Sequence, residues 1–561
     1  MVYFKKQFLF LIPLVIGLAQ FLLVVGPRVL DPSNIGWLEM VDTSTYYLGW
    51  EFFRNSPWTF PIGLSPSYGL EISNSIVYSD SNPLLAIIFK SVRDILPHPF
   101  QYFGIWLLAC FVLQAWFGWR LMKLLSNNLW ICAFGTGLLS FSLPMLWRLH
   151  QNIQHLNLVA HFLILAALYL TLNKNQNHRR ILHWAFLIGF SALIHSYIAA
   201  MVMLLWLVNL LQSRSAEQIT SKQFIVEYFS VIGTLIFLFW QAGYFSIATG
   251  HGAGGFGNDG FNLVSLIDSG KSDYGLWSHL LGDLPGDELG HERFNFLGLG
   301  IILLIPLSLY SLIKNYPYLM EKIKKNIFLV IMLVLLTLFS ISHQVGIGSI
   351  QFKLDLLEPI LRGVGGLFRA SARMFWPVFY VIVFVLIALI VKQFKPRYAA
   401  LILGLALAIQ IIDTSSGWMA IRSRLMAEPQ STWNTPMVDP FWQIAGKHYQ
   451  KLRVSPSLLA TEPDWNYLGY FAATYGLQTN AAYLARIDVS AQEMIFLKHA
   501  EVMRTGNYDK DTLYIIDDVV LTEVRKNINV NEDLLIQVNG FNVLAPAWKK
   551  CAECLDFSNK K

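Results

Sequence analysis

Runs of about twenty apolar residues recur along the chain. They fall at about 8–26, 100–119, 129–147, 153–172, 223–245, 297–313, 327–345, 375–391 and 397–413, with a longer run at 181–212. A helix needs roughly 20 mostly apolar residues to cross about 30 Å of hydrocarbon, so each run predicts a membrane-spanning helix. The long run is too much for one upright span, and two short helices hinged near His195-Ser196-Tyr197 fit it better. The total is then about eleven spans. The first run follows Lys5-Lys6 without a small-residue cleavage site and reads as an uncleaved anchor.

Two segments break this pattern. The first long loop, about 27–99, holds an apolar piece from Pro83 to Leu96 that Lys90, Arg93 and Asp94 interrupt. Such a piece is too short and too charged to span, and it predicts an amphipathic helix lying in the interface. Beyond residue 413 the pattern turns soluble. Strand-like runs at Leu513–Ile516 and Leu534–Val538 flank the helical periodicity of Ser490–Thr505, which predicts a small α/β domain over 414–561. The expected organisation is a membrane domain, 1–413, followed by that domain.

Composition agrees. Of 561 residues 55% are hydrophobic and only 14% charged, against about 25% charged in soluble domains. This excludes a disordered chain, a disulfide scaffold and a basic nucleic-acid-binding domain. Charge then sets the expected orientation. With a cytoplasmic N-terminus, one side receives Lys5/Lys6, Arg120/Lys123, Lys174/Arg179/Arg180, Arg214/Lys222, Lys314/Lys322/Lys324/Lys325 and Lys392/Lys395/Arg397. The opposite loops hold most of the Asp and Glu, as the positive-inside rule requires. The C-terminal domain is then extracytoplasmic.

Candidate chemistry clusters on that outer side. Asp42 stands just ahead of an apolar-periodic segment, where it reads either as a helix N-cap or as a rigidly held general base. Ser79-Asp80-Ser81-Asn82-Pro83 opens the interfacial helix, with Asn82 or Ser81 as its cap. Asp80 then either is solvated or shares a substrate or a divalent cation, magnesium or manganese, with Asp42. Arg369 and Arg373 are four apart, so a helical turn would set both on one face, with Arg362 nearby. External arginines either snorkel to headgroups or grip phosphate in a bidentate fork. Arg148 and His155 face the same compartment. His150 and His155, five apart, are badly spaced for one metal. His161 reads as a packing residue, and the glycines of 250–257 as a lid. Cys551-Ala552-Glu553-Cys554 reads as a structural disulfide of an oxidising compartment, in preference to a redox or zinc motif.

The layout resembles the GT-C superfamily of membrane glycosyltransferases: a first span, a long external loop with an early Asp, an interfacial helix opened by a polar-Pro step, further spans and an external C-terminal domain. More narrowly it is similar to a family of bacterial integral membrane proteins placed near those enzymes. The stretches that carry the likeness are Asp80–Ala86, Gln101–Trp106, Phe294–Gly300, Phe368–Pro377 and Thr479–Arg486. The resemblance implies transfer of a sugar from a polyprenyl-phosphate donor to an extracytoplasmic glycan or lipid acceptor. By position it implies Asp42 as base and Asp80 as its partner, from a loop that also offers Glu39, Glu51 and Glu71. The arginines Arg369, Arg373, Arg148 and Arg362, with His155, would hold donor phosphate. Trp50, Trp58, Tyr46 and Tyr47 would stack on sugar or form an interfacial belt. The rival expectation is a lipid-linked glycan transporter or a non-catalytic assembly subunit.

Overall fold

The computed structural model describes residues 10–72, 75–150, 154–173, 179–247, 256–270, 275–284, 291–455 and 464–554. The apolar runs are helices, the one conformation in which a single apolar segment satisfies its own backbone donors and acceptors. Six are long and apolar enough to cross a membrane: Phe103–Leu125, Leu129–Trp147, Ser196–Ser215, Ser221–Ala242, Ser371–Gln393 and Pro396–Asp413. The pair Leu299–Lys314 and Tyr316–Lys325, bent by 91°, makes a seventh candidate. Leu11–Val24, Leu156–Leu172, Arg180–Ala192 and Ile327–Ile341 are shorter apolar helices. The run at 181–212 divides into Arg180–Ala192 and Ser196–Ser215, and Nδ1 of His195 in the break accepts the Tyr197 N–H at 3.2 Å.

The chain forms two compact units. One comprises 1–32, 102–237 and 252–429, the other 33–101, 238–251 and 430–561. The first long loop therefore folds with the tail, not with the apolar helices.

The first unit is a helical bundle in which small and polar residues set the helix contacts. A Cβ on Gly17 would lie 2.6 Å from the Cα of Val112, so only glycine lets Leu11–Val24 approach Phe103–Leu125 this closely. Ser308 and Ser311 donate to the carbonyls of Leu386 and Leu389 at 3.2 and 2.8 Å, and Asn315 Nδ2 donates to Gln393 Oε1 at 2.9 Å. This ladder runs at helical spacing along Leu304–Lys314 and Trp376–Gln393, the polar stitching expected between apolar helices. His161 is fully buried just before Phe162–Leu172, where its Nδ1 lies 2.8 Å from the Tyr380 hydroxyl, and Gln114 donates to that hydroxyl at 2.9 Å. A short antiparallel hairpin, β1 (Gln344–Ile347) and β2 (Ile350–Lys353), also belongs here.

The second unit holds the α/β region. Strands β3 (Lys451–Ser455), β4 (Gln478–Thr479), β5 (Thr512–Ile516), β6 (Leu534–Val538) and β7 (Phe541–Ala545) form one sheet of order β4-β3-β5-β7-β6. The β3, β4 and β5 pairings are parallel, and their connections run through the helices Trp465–Tyr475 and Val489–Thr505. The β6–β7 hairpin turns at Asn539-Gly540, both at positive φ, as a two-residue primed turn requires. Asp488 and Asp517 cap the N-termini of Val489–Thr505 and Asp518–Asn527. Met503, Tyr514, Ile516, Val520, Val524 and Leu544 pack as the core between the helices and this sheet.

The loop 33–101 is fastened to that sheet. Thr479 exchanges backbone hydrogen bonds with Ser67 and Gly69 at 3.1 and 2.8 Å, and Arg453 on β3 pairs with Glu71 at 3.1 Å. His499, 4% exposed, faces the same pair. Burial first, then the charge of Arg453, pushes its pKa down to about 4, while Glu71 and Asp509 pull it up and Lys498 lowers it further. The folded state thus keeps this imidazole neutral, whereas the unfolded chain protonates it near 6.5. The unfolded state binds more protons in that window, so stability should fall as pH drops from 6.5 towards 4. Burial raises the Glu71 carboxyl, but its hydrogen bond and attraction to Arg453 outweigh this and hold it below the usual value. Its contribution is present above the ordinary Glu pKa and is lost on further acidification. The unfolding temperature of the full chain is expected to decline across that range, and less steeply in His499→Leu. An identical slope in the variant would refute the assignment.

Candidate functional site

The candidate site in the bundle is built around a carboxylate that local sequence pattern did not single out. Glu292 lies in the 3₁₀ turn His291–Arg293, and its side chain is 4% exposed. Arg373 donates from Nε to Glu292 Oε2 at 2.7 Å and from Nη2 to Oε1, a bidentate fork. Arg148 donates from Nη1 to the same Oε2 at 2.6 Å. His155 Nδ1 lies 3.7 Å from Glu292 Oε1 and 3.5 Å from Arg148 Nη1. Three expected residues, Arg148, His155 and Arg373, therefore meet on a fourth that was missed. The one local signal for Glu292 was an acid immediately ahead of the Phe294–Gly300 stretch.

Aromatic walls hold the two guanidinium groups. The Arg373 Cζ lies 4.9 Å from the Tyr197 ring centroid and the Arg148 Cζ 5.3 Å from that of Trp376. Asp259 adds a second negative charge within electrostatic reach of both arginines. Arg148 is fully buried, and its Nε and Nη2 have no hydrogen-bond partner among the described residues. Buried donors of this kind ordinarily find an acceptor, in the protein, in water or in a ligand.

Arg369 and Arg373 do not share a helical turn. Residues 371–375 form a 3₁₀ turn, and the backbone before it is irregular. The N–H groups that a helix would direct to carbonyls four residues back go elsewhere. Ala370 donates to the Tyr197 hydroxyl at 3.0 Å and Ala372 to the Asp259 carbonyl at 3.0 Å. Arg369 is consequently exposed, while the Arg373 side chain is 11% exposed. Arg362 belongs to the helix Glu358–Leu367, which continues through its glycines, and its side chain lies outside the described residues.

Asp42 and Asp80 belong to the other unit. Asp42 is not the cap of its helix: Val41–Asn55 is preceded by Met40, which makes no side-chain cap, and Asp42 sits in the first turn, where a negative charge meets the positive end of the helix dipole. Asn82 is the cap of Pro83–Lys90, accepting the Leu85 N–H at 3.3 Å. Ser79 and Ser81 press on Gly49, whose place no larger residue could take without displacing them. Asp42 is seven residues before Gly49, so it lies on the same helix face about 10 Å nearer the N-terminus. Asp80 lies between these two serines in the chain, at a positive φ. Neither aspartate is without a partner in the fold. Among the described residues no third His, Cys, Asp or Glu joins them at metal-ligand distances. The described residues therefore give a divalent cation no protein cage at this place. Glu39, Glu51 and Glu71 have structural ties: to Tyr467 at 3.0 Å, to His98 at 2.9 Å, and to Arg453.

Residues 14–415 match a family described as Domain of unknown function (DUF6311), and residues 441–546 match the DUF6311 C-terminal domain. The chain belongs to the DUF6311 family. No curated protein matches it. The first DUF6311 segment contains every bundle residue named above and both aspartates.

Removing one member of a buried ion pair strands the others, at a cost of about 3–5 kcal/mol. Glu292→Gln is accordingly expected to lower the unfolding temperature of the detergent-solubilised protein. In a double-mutant cycle with Arg373→Gln the two losses should be strongly non-additive. Simple additivity would mean that the fork contributes nothing in solution.

Proposed function

We propose that the protein is a membrane glycosyltransferase that moves a sugar from a polyprenyl-phosphate donor to an extracytoplasmic glycan or lipid acceptor. On this reading the eleven apolar helices cross the membrane, the N-terminus is cytoplasmic and the α/β region lies outside the cytoplasm. The observation that carries the reading is Arg148: a guanidinium buried at the end of an apolar helix, with two donors lacking partners among the described residues. Guanidinium groups in a dry pocket suit phosphate oxygens, because charge-assisted forks are strong there and need no reorganisation as charge develops.

On this reading the arginines have different tasks. Arg148 offers Nε and Nη2 to the phosphate, and exposed Arg369 offers a further guanidinium. Arg373 is a positioning residue: its fork onto Glu292 fixes the carboxylate that in turn orients Arg148. A polyprenyl phosphate leaves as a stable anion, so the leaving group needs no general acid, unlike glycoside hydrolysis with its two carboxylates. Asp42 takes the acceptor hydroxyl's proton as that oxygen attacks the sugar, with Asp80 as its supporting carboxylate.

One observation favours the rival reading of a transporter. The His161, Tyr380 and Gln114 contacts place a polar group inside the bundle, where a substrate path would need one. The two readings differ in turnover. Lipid-extract mass spectrometry on the purified protein should find a polyprenyl-phospho-sugar that is converted to free polyprenyl phosphate when envelope glycans are added. Asp42→Asn should abolish that conversion with expression and unfolding temperature unchanged. Arg148→Lys should weaken use of the donor by roughly tenfold or more, since an ammonium cannot reproduce the fork. Full conversion by Asp42→Asn would end the assignment of the base, and bound donor that never turns over would favour transport.

A further inference from the structure

We propose that His448, Cys551 and Cys554 form a redox-gated zinc site in the C-terminal α/β region. The inference stands apart from the transferase reading, since none of these residues belongs to that site. Among the described residues this is the one group of three His, Cys, Asp or Glu whose ligand atoms lie close enough for a shared metal, all within 4.8 Å of one another. The two cysteines are joined as a disulfide in this structure.

Packing brings the three side chains together. His448 is the last residue of the helix Pro440–His448 and is exposed. Beside it the Tyr449 hydroxyl donates to the Pro546 carbonyl at 2.7 Å. Fully buried Trp548 stacks near Phe441, with ring centroids 4.8 Å apart, and lies edge-on to the His448 ring at 6.5 Å. The turn Trp548–Lys550 therefore delivers Cys551 and Cys554 to the helix end. Cys554 is fully buried and Cys551 half-buried. The Cys554 N–H donates to Cys551 Sγ at 3.2 Å, which favours a negatively charged sulfur once the disulfide is opened.

The chemistry is a two-electron gate. As a disulfide the sulfurs carry no charge and are poor ligands. A dithiol reductant cleaves the S–S bond: one thiolate attacks, the second resolves the mixed disulfide, and two electrons and two protons pass to Cys551 and Cys554 while the reductant becomes a disulfide. Zinc then displaces the thiol protons, and neutral His448 supplies the third ligand. Two thiolates and one imidazole leave a fourth position open to water or to a fourth donor, as in an accessible zinc site. The C-x-x-C spacing is that of one half of many structural zinc sites.

The test uses the full chain in detergent. Zinc stoichiometry is measured on the oxidised protein and after reduction with a phosphine that is then removed, with cobalt(II) as a spectroscopic probe for thiolate ligation. One equivalent of zinc is expected only after reduction, with a thiolate-to-cobalt charge-transfer band that is absent from Cys551→Ser/Cys554→Ser. His448→Ala keeps the disulfide, so its oxidised form folds as wild type. After reduction it should bind zinc at least about tenfold more weakly. Zinc binding by the reduced wild type no greater than by the double serine variant would overturn the proposal and leave a structural disulfide only. Equal affinity in His448→Ala would overturn the three-ligand site.

Discussion

The bundle depends on one carboxylate held between two guanidinium groups. Taking Glu292 out of water costs several kcal/mol, and a single partner rarely repays that. Here the carboxylate takes a fork from Arg373 and a third donor from Arg148. These residues come from segments 81 and 144 positions apart in the chain. One point thus fixes the turn ahead of Phe294, the end of Leu129–Trp147 and the start of Ser371–Gln393. The irregular backbone at 368–370 follows from the same constraint. To lay Arg373 on Glu292, the chain directs its N–H groups to Tyr197 and Asp259 and gives up a helical turn.

Much of the architecture was legible because it is local. An apolar run specifies a helix wherever it stands, since the backbone must be satisfied internally. The break at His195 followed from the length of the run and the charge of the flanking loops, and the strands Thr512–Ile516 and Leu534–Val538 from short strand-like apolar runs. What the sequence hid is non-local. Arg148 and Arg373, which hold Glu292, lie 144 and 81 residues from it along the chain, so no spacing argument reaches the pairing. The docking of loop 33–101 onto the sheet rests on backbone bonds at Thr479 and on Arg453 with Glu71, which no periodicity announces. The four-residue spacing of Arg369 and Arg373 misled for the opposite reason: local spacing implied a helix that a long-range bond prevents.

The acidic residues of the first loop show how structure narrows a choice that composition leaves open. Five carboxylates were available. Glu51 is 2% exposed and bonded to His98 and Asn55, and Glu39 and Glu71 tie the loop to the tail. Replacing any of these three disturbs the fold before it reports on chemistry. Asp42 differs in kind, for it sits in the first turn of a helix whose next two turns are almost wholly buried. Its charge meets the positive end of the helix dipole, and the body of the helix behind it is buried.

A cluster present only to join helices would be expected to close all its donors, because each buried unsatisfied group costs about 1–3 kcal/mol. Glu292 and Arg373 approach that condition. Arg148 does not, since two of its nitrogens lack partners among the described residues although the side chain is fully buried; Arg180 and Arg424 likewise have two such nitrogens each. The aromatic face of Trp376 offsets part of that cost but supplies no acceptor. On the proposed transferase reading this planar cation, fixed at the end of an apolar helix, is the group that would meet an anionic oxygen of the donor.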